Sequence, residues 1–359
     1  MKKIKVAING FGRIGRLFFR IAFGRPELDI VAINDLGDVE NLAYLLKYDT
    51  VYGRYQREVK TEIDEKTGKK FLVVDGKRIH FLQEKEPEKL PWKDLGIDIA
   101  IESTGVFESF EKASAHLKAG AKRVVISAPA KDEEYIVKGK KKKEVPFGKG
   151  RTILLGINDD EMGLYSVTSN GSCTTNSIHP VLQILHKELK IKKAFLTTIH
   201  AYTATQNLVD GATKGKDWRR GRAAAQNIAP SSTGAAIATT RVLRDLEGKF
   251  DGVAMRVPTI TGSASQIVAL VSRKTSVEEV NNILKKAAKL PRWKEILKVT
   301  EDQIVSSDII GEPFAAIVDL TFTRVIDGDL VAILSWYDNE MGYCHTLLRH
   351  VIEAGKYIK

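Results

Sequence analysis

The 359 residues are 43% hydrophobic and 28% charged, enough to bury a large core, and at roughly 150 residues per domain they are expected to form about two domains. No stretch reaches the roughly 18 consecutive apolar residues of a membrane span, and the apolar run after Met1-Lys-Lys is too short for a signal peptide, so neither a membrane-spanning nor an exported protein is expected. Two cysteines give no disulfide framework and point to a reducing cytoplasm, while the net charge of +11 asks for an anionic partner, whether nucleic acid, a membrane surface or a phosphorylated metabolite.

The apolar run Ile4 to Ile8 predicts a strand that feeds Gly10-Phe-Gly12-Arg-Ile-Gly15 and then a helix faced by Leu17, Phe18, Ile21 and Ala22. Glycines there permit a tight turn and close approach of the backbone to a pyrophosphate at the helix start. The next strand, Asp29 to Asn34, ends at Asp35. That acid falls about 20 residues beyond the last glycine, where a dinucleotide fingerprint places the carboxylate for ribose hydroxyls. Glu58 to Ile63 and Phe71 to Val74 read as a hairpin, followed by a strand from Arg78 to Leu82. Strands are also predicted at 97–101 and 123–126, with a helix from Glu111 to Ala119 between them. Strands alternating with helices predict a parallel sheet with ligands at the carboxyl ends of its strands, where Asp35, Ser103, Thr104 and Ser127 fall. Lys138 to Lys143, with Lys149, reads first as a solvated basic loop.

In Ser169-Asn-Gly-Ser-Cys-Thr-Thr-Asn-Ser177 a thiol is set among hydroxyls just before Ile178, Val181, Leu182, Leu185 and Leu189, the apolar face of a helix. Ser172 suits its N-cap, and Cys173 in the first turn is expected to ionise more readily than a free thiol. Pro180 predicts a kink or interruption near Asn176. A lone cysteine is more often a small buried hydrophobe. A strand from Ile191 to Ile199 then delivers His200. Asp210 to Arg222 reads as a long ordered loop whose Trp218 packs against something, and Ser231-Ser-Thr-Gly234 as the cap of a helix through Leu243. Arg256 lies in a strand at a buried-looking position and needs an anion or a carboxylate. Strands at 263–272, 315–318 and 330–336, an amphipathic helix at 277–290 and a closing helix at 343–354 complete the reading.

Nearly the whole chain resembles the phosphorylating, NAD-linked glyceraldehyde-3-phosphate dehydrogenase family. The likeness rests on Asn9-Gly-Phe-Gly-Arg-Ile-Gly-Arg16, Lys47-Tyr-Asp49, Glu102-Ser-Thr-Gly105, Ser172-Cys-Thr-Thr-Asn176, His200-Ala-Tyr-Thr-Ala-Thr-Gln206, Arg222 to Ser232, Arg256-Val-Pro258 and Trp336-Tyr-Asp-Asn-Glu340. The resemblance implies an α/β fold: a Rossmann-type doubly wound cofactor domain over 1–172, completed by the last helix at about 339–359, and an α+β catalytic domain with a mixed sheet over 173–338. It implies Cys173 as nucleophile and His200 as base. Thr203 and Arg256 would hold the substrate phosphate. Ser172, Thr174, Thr233 and Gly234 would receive inorganic phosphate, with Arg222 between the two. NAD would be held by Gly10, Gly12, Arg13, Ile14, Gly15, Asp35, Lys85, Ser127 and Asn339. No metal is expected, and a cytoplasmic homotetramer in glycolysis or gluconeogenesis is what the family implies.

Departures from the family's wording are Gly171 before the Ser-Cys pair, Ser177 in place of a second cysteine, Ala212 in place of a proline, the lysine run as an insertion, and the stretch Thr259 to Leu270. Two other readings stand beside the main one: erythrose-4-phosphate dehydrogenase, and an inactive basic relative that binds nucleic acid.

Overall fold

A computed structural model of the chain describes residues 3–136, 145–213 and 215–358. The lysine run at 138–143 lies outside the described residues. The chain divides into two compact units, one made of 1–153, 158–171 and 347–359, the other of 154–157 and 172–346.

The first unit is built on a nine-stranded sheet. Its strands are β1 (Ile4–Asn9), β2 (Leu28–Asn34), β3 (Val59–Ile63), β4 (Lys70–Val74), β5 (Lys77–Leu82), β6 (Ile99–Glu102), β7 (Arg123–Ile126), β8 (Arg151–Thr152) and β9 (Val167–Ser169). They lie in the order β8-β9-β7-β6-β1-β2-β5-β4-β3. Pairing is parallel except in the β3-β4 and β4-β5 hairpins, where short turns return the chain directly. Helix α1 (Arg13–Ala22) buries Leu17, Phe18, Phe19 and Ala22. Full burial of such a side chain contributes about 1.5–3 kcal/mol. Helix α2 (Val39–Lys47) was not legible in the sequence pattern; it starts where the Asp38 carboxylate accepts the Glu40 and Asn41 N–H groups. The predicted helix at 111–119 is two short pieces, Phe110–Ala113 and Ala115–Lys118, broken at Ser114, whose hydroxyl bonds back to the Phe110 carbonyl.

The second unit has a seven-stranded mixed sheet of β10 (Ile191–Ala201), β11 (Ala229–Ser232), β12 (Phe250–Val257), β13 (Ser263–Val271), β14 (Leu297–Thr300), β15 (Ala316–Ile326) and β16 (Leu330–Tyr337). The order is β11-β12-β10-β13-β16-β15-β14, with β10-β12 and β14-β15 parallel and the other pairs antiparallel. Helix α3 (Cys173–Leu189) packs against β13, β15 and β16 beside α4 (Val277–Ala288). Two expectations are corrected here. Helix α3 is continuous through Pro180, so the interruption allowed for there does not occur: residues 174–182 are all buried, and that packing offsets the roughly 3 kcal/mol cost of an interior proline. Ser231 and Ser232 belong to β11, and the helix that follows is only Ala235–Thr240, since β11 pairs with β12 and takes up the residues expected to form its cap. The closing helix α5 (Met341–Gly355) carries the chain from the second unit back into the first.

Candidate active site

In the first unit, β1, β2 and β6 end side by side, and a cavity of about 730 Å³ opens beyond their carboxyl ends, lined by Gly10, Gly12, Asp35, Leu36, Lys85 and Thr104 among others. Gly10 has φ +96°, and a Cβ there would meet the Ser103 and Thr104 backbone at 2.6 Å. A Cβ on Gly15 would run into the Gly10 carbonyl, so this glycine lets α1 seat against the turn. Gly12 is different: a Cβ there meets nothing within 4 Å, so its lack of a side chain leaves cavity space open. Asp35 is held by the N–H groups of Phe11 (2.6 Å) and Gly37 (2.8 Å), which aim a fixed carboxylate at the cavity. At the end of β7 the Ser127 hydroxyl oxygen is buried with no partner in the protein, as a ligand-facing group would be. Arg13 pairs with Asp49, and Ile14 lies in the first turn of α1. The open glycine, the fixed acid and the orphaned hydroxyl fit a dinucleotide in this unit.

In the second unit Cys173 is the first residue of α3, and Ser172 is its N-cap, accepting the Thr175 N–H at 3.0 Å. His200 comes near the end of β10, in register with Arg256 on β12. The three side chains meet: Cys173 Sγ is 3.4 Å from His200 Nε2, and Arg256 Nη1 is 2.7 Å from His200 Nδ1 and 3.0 Å from the Ala201 carbonyl. His200 Nδ1 also lies 2.7 Å from that carbonyl. Two tautomers compete at Nδ1: Arg256 can only donate to it, which would put the ring proton on Nε2, whereas donation of Nδ1–H to the Ala201 carbonyl leaves Nε2 as an acceptor for the thiol proton, the form that base chemistry at Nε2 requires.

The electrostatics correct one expectation. Burial pushes the Cys173 thiol up, above its ordinary range, although the Arg256 charge, the Thr174 side chain and the Thr174 and Cys173 N–H groups all pull the other way. The residue keeps some exposure as a whole, but the sulfur that ionises sits deep. The helix start does favour the thiolate as expected; desolvation is simply the larger effect. His200 is pushed down to about 3, by burial first and by Arg256 second. Both shifts favour the neutral pair, a thiol beside an imidazole, over the ion pair. Arg256 itself is lowered by burial, and among the described residues it has no carboxylate partner and its buried Nε has no hydrogen-bond partner.

The remaining candidates divide. Thr174 is buried with its hydroxyl 2.9 Å from that of Tyr337, which is in turn 2.8 Å from Thr198. Thr203 is 2.9 Å from Thr205, and Thr233 accepts the Ala235 N–H at 3.2 Å next to Gly234 at the start of the short helix. Arg222 is not brought to the thiol: it is exposed and paired with Asp210 at 2.7 Å. Arg220, which the sequence reading passed over, takes that side of the site, held by Ser231 and Thr205, and its charge acts on both His200 and Arg256. The signal was ambiguous because three arginines stand within four residues and only the turn at Trp218–Gly221 decides which one points inward. Trp218 is 81% exposed in the single chain, so the packing expected for it is absent from this subunit. Asn339 is buried, its carboxamide oxygen accepting from Ser263 at 2.9 Å and from the Gly262 N–H at 3.2 Å.

A Rossmann-type unit with a dinucleotide cavity, followed by a mixed-sheet unit carrying a thiol–imidazole pair, defines the class as an α/β dehydrogenase. The comparisons with known proteins are more specific. Residues 4–110 match the family model described as the NAD binding domain of glyceraldehyde 3-phosphate dehydrogenase, and residues 172–339 match that of its C-terminal domain. The chain is 46% identical over 355 residues to the glyceraldehyde-3-phosphate dehydrogenase of Streptomyces coelicolor, covering 98% of both. Identity is 45% over 349 residues to that of Clostridium pasteurianum (96% of both). It is 44% over 357 residues to that of Geobacillus stearothermophilus (99% of this chain, 98% of the relative). The chain belongs to the glyceraldehyde-3-phosphate dehydrogenase family, and its cofactor is NAD.

Proposed function

We propose that the chain oxidises D-glyceraldehyde 3-phosphate with NAD and inorganic phosphate to 1,3-bisphosphoglycerate, in glycolysis or gluconeogenesis, with Cys173 as nucleophile and His200 as base. The observation that carries this is the Cys173 Sγ to His200 Nε2 approach of 3.4 Å at the start of α3. As Sγ bonds to the aldehyde carbon, its proton passes to Nε2, so attack and deprotonation occur together and no standing thiolate is needed. The Cys173 N–H, in the first turn of a helix, is suited to the developing oxyanion. Bound NAD supplies the acceptor for the hydride that leaves the hemithioacetal carbon. His200 first returns the thiol proton to the oxyanion to give the hemithioacetal hydroxyl, and then takes that hydroxyl proton as the hydride leaves, so that an acyl thioester remains on Sγ. Phosphate then displaces the sulfur to give the acyl phosphate and a free Cys173.

The substrate's own phosphate suits Arg256, whose buried Nε lacks a partner. An anion there offsets the charge that holds His200 neutral, so binding makes the imidazole a better base. Thr203 would join Arg256, while Ser172, Thr174, Thr233, Gly234 and an inward-facing Arg220 would receive the attacking phosphate, Arg222 joining only if it leaves Asp210. Gly10, Gly12, Arg13, Ile14, Gly15, Asp35, Lys85 and Ser127 would hold NAD, with Asn339 as a further contact to its nicotinamide. A cytoplasmic homotetramer accompanies this reading, supported by the exposed Leu208, Val209, Trp218 and Ile228. The test is NAD reduction by glyceraldehyde 3-phosphate with and without phosphate. Sustained turnover requires phosphate; turnover indifferent to it sinks the phosphorylating assignment and favours a hydrolytic erythrose-phosphate type of enzyme.

A further inference from the structure

Behind the cofactor cavity of the first unit lies a chain of buried polar groups, one end of which, Trp92, is set in a hydrophobic core cluster. Asn9, Asn34 and Glu102 are the last residues of β1, β2 and β6, placed side by side by the sheet register, and all three are buried. The Glu102 carboxylate is the acceptor at one end of the chain. It takes hydrogen bonds from Asn9 Nδ2 at 2.6 Å, from His116 Nε2 at 3.0 Å, and from the Thr104 N–H at 2.9 Å and the Thr104 hydroxyl. Trp92 Nε1 donates to His116 Nδ1 at 2.9 Å. On the other side, Asn9 Oδ1 accepts from Asn34 Nδ2 at 2.7 Å. Asn34 clamps the backbone of Glu84, donating to its carbonyl at 2.9 Å and accepting its N–H at 2.8 Å.

The polarity of this chain is forced. An indole nitrogen can only donate, so His116 Nδ1 carries a lone pair and Nε2 carries the proton that goes to Glu102. A backbone N–H can only donate, so Asn34 must present its oxygen to Glu84 and its amide to Asn9, which then donates to Glu102. From Asn34 through Asn9 the amides run toward the Glu102 carboxylate, a second Asn34 amide proton goes to the Glu84 carbonyl, and each asparagine has one permitted orientation. Asn9, Asn34, Glu84 and Thr104 line the cavity, whereas Trp92 and His116 are fully buried outside it. The apolar alternative for such positions would be cheaper to bury, since partly satisfied polar networks cost stability.

We propose that Trp92, His116 and Glu102 are positioning residues for the cofactor: they fix the orientations of Asn9 and Asn34 and thereby the Glu84-Lys85 and Ser103-Thr104 edges of the NAD cavity. The inference rests on that cavity taking NAD. Replacing His116 with Gln keeps a donor near the Nε2 position, and replacing it with Leu removes it. The dissociation constant for NAD is measured by quenching of protein fluorescence and by calorimetry, beside the KM for aldehyde and the thermal midpoint. His116→Leu should weaken NAD binding about tenfold with the aldehyde KM unchanged, and His116→Gln should recover most of the loss at a similar thermal midpoint. Trp92→Phe keeps a ring in the same space and remains readable if His116→Leu fails to fold. It should weaken NAD about threefold, and an unchanged dissociation constant in Trp92→Phe overturns the proposal. Equal losses in His116→Gln and His116→Leu overturn it as well, since a packing role alone would give that result. Failure of the unmodified chain to bind NAD would instead overturn the cofactor reading beneath it.

Discussion

Cys173 is where two opposed effects meet. The helix start, the Arg256 charge and the Thr174 hydroxyl favour the thiolate, and removal of the sulfur from water favours the thiol by more. The expected outcome is a slow alkylation whose midpoint lies above the roughly 8.5 of a free thiol in the ligand-free chain, moving higher still in Arg256→Ala. Iodoacetamide rates measured from pH 6 to pH 10 would check it, and a midpoint clearly below 8 would show that the charges win. Cys173→Ser should abolish turnover and leave NAD affinity intact, because the groups that fit the dinucleotide belong to the other unit. The same reasoning makes Arg256 the residue that links substrate charge to base strength. It is the cation nearest to His200, and its Nε has no partner in the protein.

At the scale of the element, α3 and the short helix at 235–240 start on hydroxyls that already have structural work. Ser172 is an N-cap that accepts the Thr175 N–H, so removing it should cost about 1 kcal/mol of stability, whereas Thr233, one residue before the Gly234 cap, accepts the Ala235 N–H and should cost less. Capping and phosphate binding are separated by kinetics. Ser172→Ala and Thr233→Ala are each expected to raise the apparent KM for phosphate more than that for aldehyde, with Arg256→Ala showing the reverse bias. Urea melts that fall while both KM values stay fixed would leave these hydroxyls as caps only. Helix α3 shows why local rules failed at Pro180: one missing N–H is a bounded penalty, and a helix buried along most of its length gathers more than that from packing.

For the whole molecule, two deeply buried histidines set the acid limit. His200 in the second unit and His350 in the first are each held down to about 3 by burial, with Arg256 and Arg123 as the respective second causes. His350 is wedged between Thr168 (2.8 Å) and Asn170 (3.1 Å). Above about pH 6.5 both are neutral folded or unfolded and pH has little effect. Below it the unfolded chain takes up protons that the folded chain refuses, so stability falls as pH drops from about 6.5 toward 3, by about 1.4 kcal/mol per pH unit for each group. Denaturant midpoints between pH 7.5 and pH 5.5 avoid most carboxylate titration. His350→Gln should reduce their slope, and an unchanged slope would refute the account.

The strand-glycine-helix opening, Asp35, Cys173 with its Ser172 cap, and His200 at a strand end could be read directly from the residues, because each follows from local chemistry: apolar period, permitted φ, orphaned N–H groups. The mixed character of the second sheet and the full set of site residues came through resemblance. What the residues could not give depends on distant groups. The strand register set Arg256 against His200 and so decided which way their ionisation shifts. The turn at 218–221 decided that Arg220 faces inward while Arg222 goes to Asp210. Packing decided that Pro180 stays inside a helix, and sheet order brought Asn9, Asn34 and Glu102 together from three separate strands. The sequence by itself determined most of the elements and the reactive groups, since those energies are local; α2 and the helix ends at 114 and 235 needed their surroundings. Only the tertiary structure decided their burial and their neighbours, because desolvation and Coulomb interactions depend on distances that the order of residues does not contain.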